Sequence, residues 1–241
     1  MAEPDRNAIL AELFDRAWEP HGWTPDHHFE MGLSRDVLSF LSERVQPGDR
    51  TLETGTGYST VVFALAGAKH TAVSPVSWEH ERITDFCEER GVSLANVNFV
   101  EAFSQDALPN LPKDPLEFVL IDGDHSFPTP FVDFYFAASL LRPGGVLIVD
   151  DTHIRTGDIL RRFLESEEGR WHVERQFPTT AAFVKLTDTL IDMGGWQTQP
   201  FCAETVPPWG TPPLQRLRWR LKLRTRLREF GRKAHQDPNV M

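Results

Sequence analysis

From Arg50 onward the chain alternates short apolar runs with stretches of helical periodicity. Arg50–Thr54 precedes Ser59–Ala66, and Lys69–Ser74 precedes Trp78–Arg90, which closes at Gly91. Val97–Glu101 follows; Leu116–Ile121 then precedes Pro130–Leu141, and Gly145–Val149 precedes Gly157–Glu165. An apolar run followed by an amphipathic stretch, repeated, predicts an α/β chain whose parallel strands are joined by crossover helices. Phe118-Val119-Leu120-Ile121 and Val146-Leu147-Ile148-Val149 show no period of two, as strands covered on both faces require. Two later runs, Trp171–Phe177 and Thr180–Leu186, flank Pro178-Thr179 and predict an antiparallel hairpin at the sheet edge. Ahead of the alternation, residues 5–18 place Ile9, Leu10, Leu13, Phe14 and Ala17 on one helical face. Ser34 is a good N-cap for a second helix ending before Pro47-Gly48.

The expected organisation is an N-terminal helix with a lid or cap segment (1–33), a core domain (34–186), a linker with five prolines and three glycines (187–213), and a C-terminal tail (214–241). The lid segment carries Trp18, His21, Trp23, His27, His28 and Phe29, suited to a ring-bearing or hydroxylated ligand or to packing on the sheet edge.

Composition adds a compartment and a charge asymmetry. With 241 residues the chain is long enough for one large domain and a sizeable core. Two cysteines, Cys87 and Cys202, form no C-x-x-C pair, which argues against a zinc ribbon or a disulfide framework. The longest clean apolar run, Val61–Ala68, is far short of the roughly 20 residues of a membrane span. The polar, acidic start MAEPDRNA is no secretory signal, so a cytoplasmic protein is expected. The net charge of −10 hides two unlike parts: Leu214–Lys233 holds nine basic residues against one acid, a local +8 that leaves −18 for the rest. Read as a helix, that tail splits its apolar residues into two groups, which suits packing against the acidic body or a homodimer partner. An anionic membrane surface is the next reading, while the acidic body argues against nucleic acid as a partner.

The candidate chemistry lies at strand ends, where open α/β sheets bind ligands. Glu53-Thr54-Gly55-Thr56-Gly57-Tyr58-Ser59-Thr60 joins the first strand to its helix. Thr60 breaks a G-x-G-x-x-G dinucleotide fingerprint, and no Lys completes a phosphate loop. What is left is acid-x-Gly-x-Gly, suited to a ligand with an ammonium group or hydroxyls, or else a tight turn with a solvated Glu53. Asp122-Gly123-Asp124-His125 ends the fourth strand and Asp150-Asp151-Thr152-His153 the fifth. Parallel strands bring Asp122, Asp150 and Asp151 to one rim, where converging carboxylates raise a pKa or call for a cation such as Mg²⁺. Solvated turns and helix caps are the plainer reading.

ETGTGYST, IDGDH and LRPGGVLIVDD, in this order across residues 34–186, resemble the class I S-adenosylmethionine-dependent methyltransferases. The resemblance implies a Rossmann-like, doubly wound, seven-stranded sheet with an antiparallel C-terminal hairpin and helices on both faces. It implies that Glu53, Gly55, Gly57, Tyr58 and Ser59 line the methionine part of the cofactor, with Asp122 on the same rim. Where the family places an acid for the ribose hydroxyls, this chain has Ser74-Pro75, with Glu79 shortly after. Asp106, after the third strand, would accept from the adenine amine, or would cap a short turn.

The acidic strand ends resemble the metal-dependent small-molecule O-methyltransferases of catechol and sugar types, which implies Asp122, Asp150 and Asp151 as Mg²⁺ ligands. Candidate bases are Asp124, His125 and His153. The pattern of amine methylators, Asn or Asp followed by Pro-Pro-aromatic, is absent after the fourth strand, which favours an oxygen nucleophile. The expected activity is methyl transfer to a hydroxyl of a small sugar, phenolic or polyketide-like metabolite. The rival is a non-catalytic protein of this fold that uses its basic tail for assembly or anionic-surface binding.

Overall fold

The computed structural model describes residues 5–15, 32–189 and 199–203. The lid segment's aromatic and histidine residues and the basic tail lie outside these residues. Two helices, α1 (Arg6–Phe14) and α2 (Arg35–Arg44), precede the alternation. Asp5 caps α1 by accepting from the backbone N–H groups of Asn7 and Ala8, and Ser34 caps α2 by accepting from Val37. The strands are β1 (Arg50–Thr54), β2 (Lys69–Val73), β3 (Val97–Val100), β4 (Leu116–Ile121), β5 (Leu141–Val149), β6 (Trp171–Gln176) and β7 (Ala181–Lys185). Between them run α3 (Tyr58–Leu65), α4 (Ser77–Glu89), α5 (Ser104–Ala107), α6 (Thr129–Leu140) and α7 (Arg155–Ser166).

The sheet order is β3-β2-β1-β4-β5-β7-β6. Strands β1 to β5 pair in parallel, so their carboxyl ends, from Thr54 to Val149, share one rim. The hairpin forms as expected, but its second strand is the inner one: β7 pairs antiparallel with β5 on one side and β6 on the other. Strand β5 starts at Leu141, directly at the end of α6, four residues earlier than its apolar run indicated.

Side-chain alternation divides the core in two. Phe118, Leu120, Val146 and Ile148 pack with residues of α1 to α4 on one face. Val119, Ile121, Leu147 and Val149 pack with α5, α6 and α7 on the other. This explains the unbroken apolar runs of β4 and β5: both faces are interior, and each fully buried large side chain contributes about 1.5–3 kcal/mol. One buried cation stands among them. Lys185, 2% exposed, donates its Nζ to the carbonyls of Ala138 (3.0 Å) and Leu141 (2.6 Å) and so closes the C-terminal end of α6. Burial holds its pKa below 10.5. Among the described residues no helix is long and apolar enough to cross a membrane.

Candidate functional site

Backbone bonds stitch the rim together. Gly55 N–H donates to Val73 (2.8 Å), Asp122 to Thr54 (3.1 Å) and Asp150 to Ile121 (3.0 Å). Gly55 has φ +92°, and a Cβ there would run into the carbonyl oxygen of Asp122. Only glycine fits so close an approach. Gly57, at φ 171°, is extended and makes no such demand.

Beneath this turn lies a buried polar cluster. Glu53, 1% exposed, accepts from Ser59 Oγ (2.6 Å), from Thr60 Oγ1 and from His70 Nε2 (3.0 Å). His70 Nδ1 meets Thr51 Oγ1 at 2.7 Å, and Phe63 stacks on the imidazole at 4.3 Å. Thr60 also accepts from the Gly57 N–H at 3.0 Å. The residue that breaks the dinucleotide fingerprint is therefore the one that ties the turn to Glu53. Tyr58 and Ser59 are buried as well. The Glu53 carboxylate thus faces inward, under the turn, in contact with protein donors.

At the end of β2, Ser74 donates to Glu79 Oε2 (3.2 Å) and accepts from the Val76 N–H (3.2 Å). Thr56 Oγ1 donates to the same Glu79 oxygen at 3.1 Å. A carboxylate from the first turn of α4 thus reaches the position where a strand-end acid was expected, bridging the β1 and β2 loops. Asp106 lies inside the single turn of α5, exposed; Phe103 occupies the N-cap position. Two exposed rings that the apolar patterning did not mark, Trp78 beside Glu79 and Phe103 beside Ser104, flank these loops.

The carboxylates of the acidic rim act on one another: Asp150 and Asp151 on Asp122, and Asp151 on Asp150. Burial, and next the charge of Asp150, push the Asp122 carboxyl well above its usual range. Burial likewise raises Asp150, which accepts from Thr180 Oγ1. Asp151, at φ +50°, turns the other way and binds His125 Nε2 at 2.7 Å through Oδ2 and His153 Nδ1 at 3.4 Å through Oδ1. The His125 hydrogen bond holds Asp151 below its ordinary value. Burial alone would lower His125, but its bond to Asp151 and the surrounding carboxylates leave it above 6.5. Thr156 Oγ1 fixes the His125 backbone carbonyl at 2.7 Å. Gly157, at the start of α7, leaves room for the Asp151 carbonyl, which a Cβ would strike.

Asp124 is occupied elsewhere. It accepts from the Ser126 N–H (3.0 Å) and Thr129 Oγ1 (2.9 Å), bonds that lower its pKa and shape the entry to α6. Of the expected bases, His125 and His153 both face Asp151, and His125 does so at the shorter distance.

Among the described residues, no three His, Cys, Asp or Glu side chains gather as a metal-holding group. Thr180 takes an Asp150 oxygen, and both Asp151 oxygens face histidines.

Comparison with known proteins completes the picture. Residues 52–152 match the model of a family described as a methyltransferase domain. No curated protein sequence matches the chain. The O-methyltransferase TomG of Streptomyces achromogenes, involved in tomaymycin synthesis and solved with its cofactor SAM, is 21% identical, with a TM-score of 0.53 over 77% of this chain and 92% of that one. An O-methyltransferase from Bacillus cereus, in complex with SAH, is 21% identical, with a TM-score of 0.51 over 77% and 93%. An rRNA methylase from Streptococcus thermophilus is 14% identical, with a TM-score of 0.50 over 64% and 96%. At these identities the likeness is one of fold.

Proposed function

We propose that this chain, which carries the class I methyltransferase fold, is an S-adenosylmethionine-dependent O-methyltransferase of a small hydroxylated metabolite. The observation that carries the reading is the His125–Asp151 pair, set on the same rim as the glycine turn. The cofactor suits three features of that rim. The Gly55 turn permits close backbone approach, Glu79 with Ser74 and Thr56 offers a carboxylate and hydroxyls to a diol, and the Asp122–Asp150 pair supplies negative potential near a sulfonium. When bound, the cofactor supplies an electrophilic methyl group that an oxygen nucleophile displaces in line.

The chain's task is to position and deprotonate that oxygen. His125 donates its Nε2–H to Asp151, which leaves Nδ1 as the acceptor for the substrate hydroxyl proton. Asp151 then stabilises the imidazolium and keeps the ring oriented. A small molecule is favoured over nucleic acid by the net charge of −10 and by the IDGDH strand end.

The test is incubation with S-adenosylmethionine and a panel of hydroxylated metabolites, reading product mass for one added methylene. His125→Ala should lower turnover by about 10²–10⁴-fold and leave S-adenosylhomocysteine affinity unchanged. Absence of any S-adenosylhomocysteine binding by the intact chain, with or without Mg²⁺, overturns the reading. Full turnover in His125→Ala removes the base.

A further inference from the structure

Among the described residues, Asp151 is the one non-glycine residue with a left-handed backbone, φ +50°. Such a conformation costs free energy and persists where its surroundings enforce it. Both neighbours of Asp151 are held, and by the same piece of chain. The β5–β7 ladder pairs Val149 with Ala181, which sets Thr180 across from Asp150. The Thr180 hydroxyl donates to Asp150 Oδ1, and both residues are buried. On the other side of Asp151, the Thr152 N–H donates to the Thr179 carbonyl at 2.7 Å. The hairpin tip that makes both contacts is closed by its own bond, from the Phe177 N–H to the Thr180 carbonyl at 2.8 Å. The Asp151 carbonyl in turn accepts from the Ile154 N–H at 2.8 Å, at the entry to α7.

Asp150 and Asp151 are adjacent carboxylates, and it is Asp151 whose Oδ2 meets His125 Nε2, at 2.7 Å. The hairpin tip accounts for that choice. One oxygen of Asp150 is taken by Thr180, so this carboxylate stays turned toward β7. The anchors on either side then keep Asp151 in the backbone conformation that aims it at the imidazole. The geometry points to Thr180, at the tip of the β6–β7 hairpin, as a positioning residue for the His125–Asp151 pair. It acts through Asp150 and the loop that follows. Its catalytic meaning rests on the methyltransferase reading above, in which His125 is the base; the contacts themselves do not. Valine keeps the shape of threonine and lacks the hydroxyl, which leaves a buried carboxylate oxygen without its donor and draws Asp150 toward another. Serine keeps the hydroxyl. A partner displaced by an ångström no longer holds a base in line, and such a misplacement costs turnover up to about 10²-fold.

The experiment is nitrogen NMR of the full-length chain with labelled imidazoles at about pH 9, where a histidine ring is neutral, with His125 assigned by its loss in His125→Gln. In the wild type the bond to Asp151 should hold His125 in one tautomer, Nε2 protonated and Nδ1 bare. In Thr180→Val the two nitrogen shifts should draw together, the mark of a ring that samples both tautomers, and Thr180→Ser should restore them. On the acceptor that the metabolite panel yields, Thr180→Val should lower kcat at least about tenfold with KM within about threefold. If Thr180→Val does not fold, Thr180→Ala combined with Asp150→Ala removes both partners of the bond, leaves no orphaned group and should release the tautomer in the same way. Wild-type shifts in either variant overturn the inference and leave the methyltransferase reading standing. Unfolding of both variants, with Thr180→Ser folded, makes the hydroxyl a structural element alone and also overturns it. The shifts need neither cofactor nor acceptor, so failure of the wild type to bind S-adenosylhomocysteine overturns the methyltransferase reading separately.

Discussion

Removing the Glu53 carboxylate separates two roles that a strand-end acid can have. If it shapes the turn from beneath, its loss destabilises the protein. If it touches the cofactor, its loss weakens binding in a protein that stays stable. Glu53→Ala would orphan three groups: the hydroxyls of Ser59 and Thr60, and His70 Nε2. The hydroxyls can rotate toward other acceptors, but the imidazole is held by Thr51 and by stacking on Phe63. Breaking a buried polar pair of this kind costs about 3–5 kcal/mol. For a chain of this length each kcal/mol shifts the midpoint by about 2–4 °C, so the expected fall is roughly 10 °C.

Glu53→Gln should cost less, about 1–2 kcal/mol, because the amide oxygen still accepts from the hydroxyls and the amide nitrogen can donate to the other histidine tautomer. The assay is thermal and urea unfolding of both variants, with S-adenosylhomocysteine calorimetry at a temperature where each is folded. A Glu53→Ala protein that melts within about 2 °C of the wild type refutes the buried-cluster reasoning. Weak binding in an equally stable Glu53→Gln protein would place the carboxylate in contact with the cofactor instead.

Three further outcomes are expected. Gly55→Ala should cost about 2–4 kcal/mol and abolish measurable S-adenosylhomocysteine binding, since the φ of +92° and the Asp122 carbonyl both exclude a side chain; unfolding and calorimetry of the variant check it. Asp151→Asn should reduce turnover as His125→Ala does but retain S-adenosylhomocysteine affinity, read by steady-state kinetics beside calorimetry; unimpaired turnover would dissociate the pair from catalysis. Glu12 pairs with Arg90 through two bonds of 2.5 and 2.7 Å, and the guanidinium holds its carboxyl below 4.5. A depressed folded-state pKa means stability present above pH 4.5 and lost as pH falls through the folded value, so Glu12→Gln should melt slightly below the wild type at pH 7, by about 0.5–1 kcal/mol, and the difference should shrink as the pH falls below 4.5.

The parts legible in the sequence are those that depend on near neighbours along the chain. Ser34 caps α2 through Val37, three residues on, and the apolar runs of β4 and β5 announce burial on both faces without any partner being named. The parts that were not legible depend on a residue from another element. Glu53 faces inward because His70 of the adjacent strand and two hydroxyls of α3 meet it there. Asp124 turns to Ser126 and Thr129 instead of a substrate, and Asp151 turns to histidines instead of joining Asp122 and Asp150. Carboxylate count and spacing announce a crowded rim; which oxygen meets which donor is set by side-chain direction, visible only in the fold. The inner position of β7 is of the same kind, because a hairpin pattern states that two strands pair and not which of them joins the sheet.

That inner position has a consequence for how the chain is made. Strand β5, with Val146 to Val149 and the two aspartates after it, has one edge covered by β4 but waits for its other neighbour, β7, until residues 181–185 have been synthesised. During that interval a nascent chain presents an apolar, unpaired edge, the kind of template on which chains aggregate. The acidic rim would become a finished surface only when the last strand slides in beside it.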